Sequence, residues 1–255
     1  MSAAKRVLLA EDDRFLRRAA EAMLRKQGFT VLPATDGEEA LRLARSERPD
    51  LILLDMVMPK LDGLAVLRAL KGDAATRHVP VVLLSNLGQE EDVRRCLEAG
   101  AIAYFIKANL SLDDLVARVR AIVNGAAPEK GPLGAAAPPA EPGAPPMDFA
   151  VARRYTGGDR DLLAELLASF TEECPRRIRA MRAAEASGNT EELLREAHNL
   201  KGTLRVLGAA AGAALSEQLE RMGSEGRLDG AADILAALEG QLAAVLRCIA
   251  DSDPS

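Results

Sequence analysis

Six side chains in the first half of this sequence are of types that can together handle a phosphoryl group: Glu11, Asp12, Asp13, Asp55, Ser85 and Lys107. Carboxylates brought close repel one another, and one would normally take up a proton. A hard dication removes that conflict. Mg2+ prefers oxygen ligands, keeps several waters and typically takes one or two carboxylates together with a phosphate. In such a pocket Asp55 is a nucleophile towards phosphorus. Lys107 and Mg2+ neutralise charge on the equatorial oxygens of the group in transit, and the Ser85 hydroxyl hydrogen-bonds one of them. Taken alone, Asp12 reads instead as a helix cap.

The second half offers one reactive imidazole. Of the two histidines, His78 lies in TRHVP, just before a strand, and reads as a surface loop residue. His198 lies in EAHNLKGTLRVLGA, inside a strongly helical segment. Helical spacing sets Arg195, Lys201, Gly202 and Arg205 beside it. The expectation is an exposed ring among three cations, which suits a phosphoryl group on the ring and an acidic partner surface. A glycine inside a helix costs ~1 kcal/mol relative to alanine, so Gly202 reads as a point where a partner approaches the helix closely. Leu194, Ala197, Leu200, Leu204 and Leu207 supply the apolar side of the same helix.

The elements that must position these residues follow from patterning. Val7–Ala10, Leu51–Leu54, Val79–Ser85 and Ala103–Ile106 are short, mostly apolar runs suited to strands buried on both faces, with Thr30–Pro33 a weaker fifth. Between and after them, Arg14–Gln27, Gly37–Ser46, Gly63–Lys71, Gln89–Glu98 and Leu112–Val123 carry helical spacing. Five β–α units predict a doubly wound parallel sheet with helices on both faces. Ligands of such sheets sit at the carboxyl ends of the strands, which is where Glu11, Asp55, Ser85 and Lys107 fall.

The stretch 124–146, NGAAPEKGPLGAAAPPAEPGAPP, has almost nothing to bury and many residues that break regular structure. It divides a domain at 1–123 from one at 147–251 and reads as a linker. Beyond it the strand signal stops. Asp161–Phe170, Pro175–Ala186, Thr190–Leu207, Ala210–Met222 and Ala231–Ile249 read as helices, which predicts a four-helix bundle with a shorter leading helix.

Composition narrows the function classes. With 33 Lys and Arg against 38 Asp and Glu, the net charge is −5, so a nucleic-acid partner is not expected. No run of about 18 apolar residues is present to insert in a membrane, and the N-terminus lacks the apolar core of a signal peptide. The odd, unclustered cysteines Cys96, Cys174 and Cys248 read as reduced thiols, so a cytoplasmic location is expected. No P-loop is present, so autophosphorylation from ATP is not expected. A haloacid-type phosphatase also uses a nucleophilic Asp on a parallel sheet, but it needs a DxDx[TV] segment after a strand, and the chain has none.

The pieces LLAEDDRFLRR, LILLDMVMPKLDG, VVLLSN and AYFIKA, over residues 5–123, resemble response-regulator receiver domains. The resemblance implies a flavodoxin-like (βα)5 fold with Asp55 as phosphoacceptor. It further implies Asp12 as the principal metal carboxylate, Glu11 as the second acid of the pair, Asp13 as peripheral, and the Val57 carbonyl as a further metal ligand. Ser85 and Tyr104 take the places of the switch hydroxyl and switch aromatic. Two positions depart from the family pattern: Ala108 follows Lys107 where a cis-linked proline is usual, and Asn86 follows Ser85 where a small residue is common. AHNLKGTLRVLGA, with RRYTGGDRDLLAELLASF before it and LSEQLE after it, resembles the histidine phosphotransfer (HPt) domain over about 147–250 and implies His198 as phosphoacceptor. Together the resemblances imply a two-component phosphorelay protein standing between a sensor histidine kinase and other receiver domains. The alternative is a module in which the receiver gates the bundle without Asp55-to-His198 transfer.

Overall fold

The computed structural model describes residues 4–85, 90–107, 110–126, 132–133 and 145–252. Two compact units are present, 1–136 and 137–255. Asn86 and Ala108 lie outside the described residues, as does most of the expected linker.

In the first unit, strands β1 (Arg6–Ala10), β2 (Thr30–Ala34), β3 (Leu51–Asp55), β4 (Val81–Ser85) and β5 (Ala103–Ile106) alternate with helices α1 (Arg14–Lys26), α2 (Gly37–Glu47), α3 (Gly63–Gly72), α4 (Glu90–Glu98) and α5 (Leu112–Val123). The strands are parallel and run in the order β2-β1-β3-β4-β5, the doubly wound arrangement that the alternating pattern predicts. Side chains alternate across a strand. Leu8, Ala10, Ile52, Leu54, Val81 and Leu83 share one core with Ala40 and Ala44 of α2, Val66, Leu67 and Leu70 of α3, and Val93 and Cys96 of α4. The intervening Val7, Leu9, Leu51, Leu53, Val82 and Leu84 are just as buried, on the face that α1 and α5 cover. Burial on both faces is why these strands read as continuous apolar runs.

One departure concerns the linker. Pro132–Leu133 form a two-residue strand, β6, parallel to β5, with Tyr104 opposite Pro132 and Phe105 opposite Leu133. This stretch therefore takes up sheet pairing where only irregular chain was expected.

The second unit is helical: α6 (Phe149–Tyr155), α7 (Arg160–Ser187), α8 (Thr190–Val206), α9 (Ala210–Ser224) and α10 (Ala231–Asp251). Helices α7 to α10 pack in a ring, each against the next and α10 back on α7, around Leu166, Phe170, Met181, Leu193, Leu200, Leu204, Leu219, Leu235, Leu238 and Leu242. Asp159 and Asn189 cap α7 and α8 by accepting from Leu162 N and Glu192 N, and Gly188 closes α7 in the left-handed region at φ 73°. The sequence predicts separate helices over 161–170 and 175–186, but α7 is one helix of 28 residues with Pro175 inside it. Proline removes one helical N–H and crowds the carbonyl four residues back. Pro175 and Thr171 both face solvent, so the freed Thr171 carbonyl can be hydrated. On the opposite side Phe170, Cys174, Met181 and Ala184 carry the buried stripe past the proline without a break.

Candidate functional site

Strand register assembles the acidic pocket. Ala10 pairs with Leu54, Asp55 with Leu84 and Ser85 with Ile106. Glu11, Asp55, Ser85 and Lys107 therefore emerge side by side at the carboxyl end of the sheet. Asp55 is fully buried, and Glu11, Ser85 and Lys107 nearly so. The Lys107 Nζ donates to Asp55 Oδ2 at 2.6 Å and is ion-paired to Glu11 Oε2 at 2.6 Å. Asp55 Oδ1 accepts from its neighbour Met56 N at 2.7 Å.

The electrostatics are those of crowded buried anions. Burial first, then the charge of Asp55, holds the Glu11 carboxyl well above the usual range, with Lys107 only partly opposing. Burial by itself would pull the Lys107 ammonium down, but Asp55 and Glu11 outweigh it and fix the charged form. One carboxylate oxygen each from Glu11, Asp12 and Asp55 lies within 4.8 Å of the others. A largely buried all-oxygen set, with Asp12 at its partly exposed side, fits a hard dication.

The run of three acids divides its work. Asp13, expected to be peripheral, is fully buried and is the N-cap of α1: its Oδ1 accepts from Leu16 N at 2.9 Å. The cap belongs to Asp13 and not to Asp12, because the helix begins one residue later than an Asp12 cap requires. Behind Asp55, the β3–α3 loop folds back so that Gly63 N donates to Met56 O at 2.9 Å. A Cβ at Gly63 would lie 2.1 Å from the Asp55 carbonyl oxygen, so this close approach excludes any side chain. Val57 sits in that loop, half-buried. Tyr104 is packed inward in the core shared with α2 to α4.

The histidine site departs from its expectation. His198 is not exposed; its side chain is fully buried. Glu220 of α9 lies against it, Oε1 2.5 Å from His198 Nδ1, while Glu220 Oε2 accepts from Lys201 Nζ. Lys201 is fully buried as well, and Gly202 is buried, so neither belongs to an open partner surface. The reason is the α8–α9 seam: Gly212, Ala213, Ser216 and Gly223 are buried small residues that let the helices close together. A Cβ at Gly223 would meet Leu194 N and Thr190 O at 2.8 Å. Arg195 and Arg205 stay partly exposed and pair with Glu192 and Glu217. His78 is exposed, as expected.

Periodicity did not single out Glu220. It lies 22 residues beyond His198 on a different helix, and the register between antiparallel helices depends on the turn joining them. The LSEQLE segment marked the region but not the residue.

Comparison with known proteins agrees with both halves. The family model for the response regulator receiver domain matches residues 7–120, and that for the Hpt domain matches 165–248. Over 110 residues the chain is 44% identical to the gliding motility regulatory protein of Myxococcus xanthus, covering 43% of this chain and 14% of that one. Over 118 residues it is 46% identical to the transcriptional regulatory protein PrrA of Mycobacterium tuberculosis, covering 46% of this chain and 49% of that one. Among solved structures it is similar to the receiver domain of sensor histidine kinase PA1611 from Pseudomonas aeruginosa, which has a magnesium ion coordinated in its active site cleft. The identity there is 32% and the TM-score 0.45, over 48% of this chain and 100% of that one. The chain thus spans about half or less of these curated relatives. Family models for a response regulator receiver domain and for an Hpt domain thus both match within this one chain. Among the described residues no helix is long and apolar enough to cross a membrane.

Proposed function

We propose that Asp55 accepts a phosphoryl group, that His198 carries one, and that the chain passes phosphoryl groups between a sensor histidine kinase and other receiver domains. The observation that carries this reading is the Lys107 ammonium set 2.6 Å from both Asp55 and Glu11 in a buried cluster of carboxylates. An Asp55 oxygen attacks the phosphorus of a phosphohistidine in line. The new O–P bond forms as the N–P bond breaks, and the imidazole leaves with the electron pair. Lys107 is placed to follow the negative charge as it moves from Asp55 Oδ2 onto the transferred group. Glu11, Asp12 and Asp55, with the Val57 carbonyl, would hold Mg2+, which offsets charge on the phosphoryl oxygens. In this reading Ser85 hydrogen-bonds a phosphoryl oxygen and Tyr104 is the aromatic that responds. The domain limits 1–123 and 147–251, joined by 124–146, fit this division of labour.

For His198, Glu220 is bonded to Nδ1, and in this reading Nε2 takes the phosphorus. The burial of His198 also favours a second reading, in which the bundle must open before it can be phosphorylated and the receiver controls that opening.

Incubation with acetyl phosphate and Mg2+ tests the receiver half. Mass analysis should find one phosphoryl group, absent with EDTA, absent in Asp55→Ala and present in His198→Ala treated briefly. Modification of Asp55→Ala at an unchanged level would sink the assignment.

A further inference from the structure

We propose that Arg17 is a positioning residue for the acidic pocket, fixing the backbone from which Glu11 and Asp12 project; the inference rests on reading that pocket as a cation site. Arg17 is the fourth residue of α1 and is half-buried. Its Nη1 donates to the Glu11 carbonyl oxygen at 2.7 Å and to the Asp12 carbonyl oxygen at 3.0 Å. One nitrogen with two hydrogens thus holds two consecutive carbonyls.

Each peptide plane is rigid. With both carbonyls committed to one guanidinium, the peptide planes on either side of Asp12 are set, and with them the Cα–Cβ directions that aim the acids. Other bonds hold the same loop at its ends: Glu11 N donates to Ala34 O at 3.1 Å, and Arg17 N donates to Asp13 O at 2.9 Å. Asp13 N also donates to Glu11 Oε1 at 3.3 Å. Between those anchors Arg17 donates to the Asp12 carbonyl. Lysine is a poor substitute, since an ammonium on a flexible stem lacks the planar, pre-organised fork.

Groups that orient metal ligands from behind typically cost ~10–100-fold in metal affinity when removed. Calorimetric titration of Mg2+ into the full chain should give a dissociation constant about ten-fold weaker in Arg17→Met than in wild type and an intermediate value in Arg17→Lys. Metal-free hydrogen exchange over residues 10–14 should be faster in Arg17→Met, with exchange over β3 and β4 unchanged. Mg2+ affinity within two-fold of wild type would overturn the proposal, as would unaltered exchange over 10–14. If Arg17→Met does not fold, the same two readings on Arg17→Lys decide it. If wild type takes up no Mg2+, the reading of the pocket fails, and the exchange measurement alone judges the positioning role.

Discussion

Glu220 of α9 holds His198 of α8 by its Nδ1, at 2.5 Å, and takes Lys201 on its other oxygen. Burial would raise the Glu220 carboxyl, but the bond to His198 and the charge of Lys201 outweigh it and hold it below the usual range. The carboxylate is therefore ionised near neutrality and can only accept, so His198 Nδ1 donates to it. Glu220→Ala should slow phosphorylation of His198 by on the order of 10- to 100-fold, the cost typical of losing a carboxylate that orients a histidine. The measurement is the rate of label transfer from a phosphorylated receiver domain, with Glu220→Gln expected between the two. An unchanged rate in Glu220→Ala would reduce the contact to packing.

The raised Glu11 carboxyl predicts how metal-free stability depends on pH. A folded-state value above the ordinary 4.5 means that the folded chain binds the proton more tightly than the unfolded chain. That contribution to stability is fully present below 4.5 and is lost as pH rises through the folded value. In EDTA, wild type should therefore lose stability relative to Glu11→Gln as pH rises from 4.5 through the folded value, and Mg2+ should recover the loss in wild type. Thermal unfolding of both proteins across the acid-to-neutral range reads this. A stability difference that does not vary with pH would show that Glu11 is not strained by its neighbours.

Gly63 and Gly72, near the start and at the end of α3, should respond oppositely to the same methyl group. At Gly63 the Cβ meets the Asp55 carbonyl oxygen at 2.1 Å, whereas at Gly72 nothing lies within 4 Å. Gly63→Ala should destabilise by at least ~1–3 kcal/mol. Gly72→Ala should be neutral or stabilising by up to ~1 kcal/mol. Urea unfolding of each variant decides, and equal stabilities would mean that α3 can move off β3 freely.

Much of this architecture is legible in the amino-acid sequence. The apolar runs of β1, β3, β4 and β5 announce a parallel sheet because both faces are buried, and ligand sites at strand ends then bring Asp55, Ser85 and Lys107 together. What escaped depends on relations that periodicity does not carry. The continuity of α7 through Pro175 rests on which side of the helix the ring faces. The burial of His198 and Lys201 rests on how closely the small residues of α9 let it approach α8. The choice of Asp13 as cap rests on a one-residue difference in where α1 begins, and Arg17 becomes visible only once its guanidinium is seen on the carbonyls of Glu11 and Asp12.

The most direct test of the central claim is to phosphorylate the full chain with a small phosphodonor and Mg2+, then separate acid-stable from alkali-stable label in wild type, Asp55→Ala and His198→Ala. The account predicts alkali-stable label on His198 in wild type that disappears in Asp55→Ala, because the histidine is charged through the aspartate. Label on His198 that persists undiminished in Asp55→Ala would contradict it and leave the two domains serving separate partners.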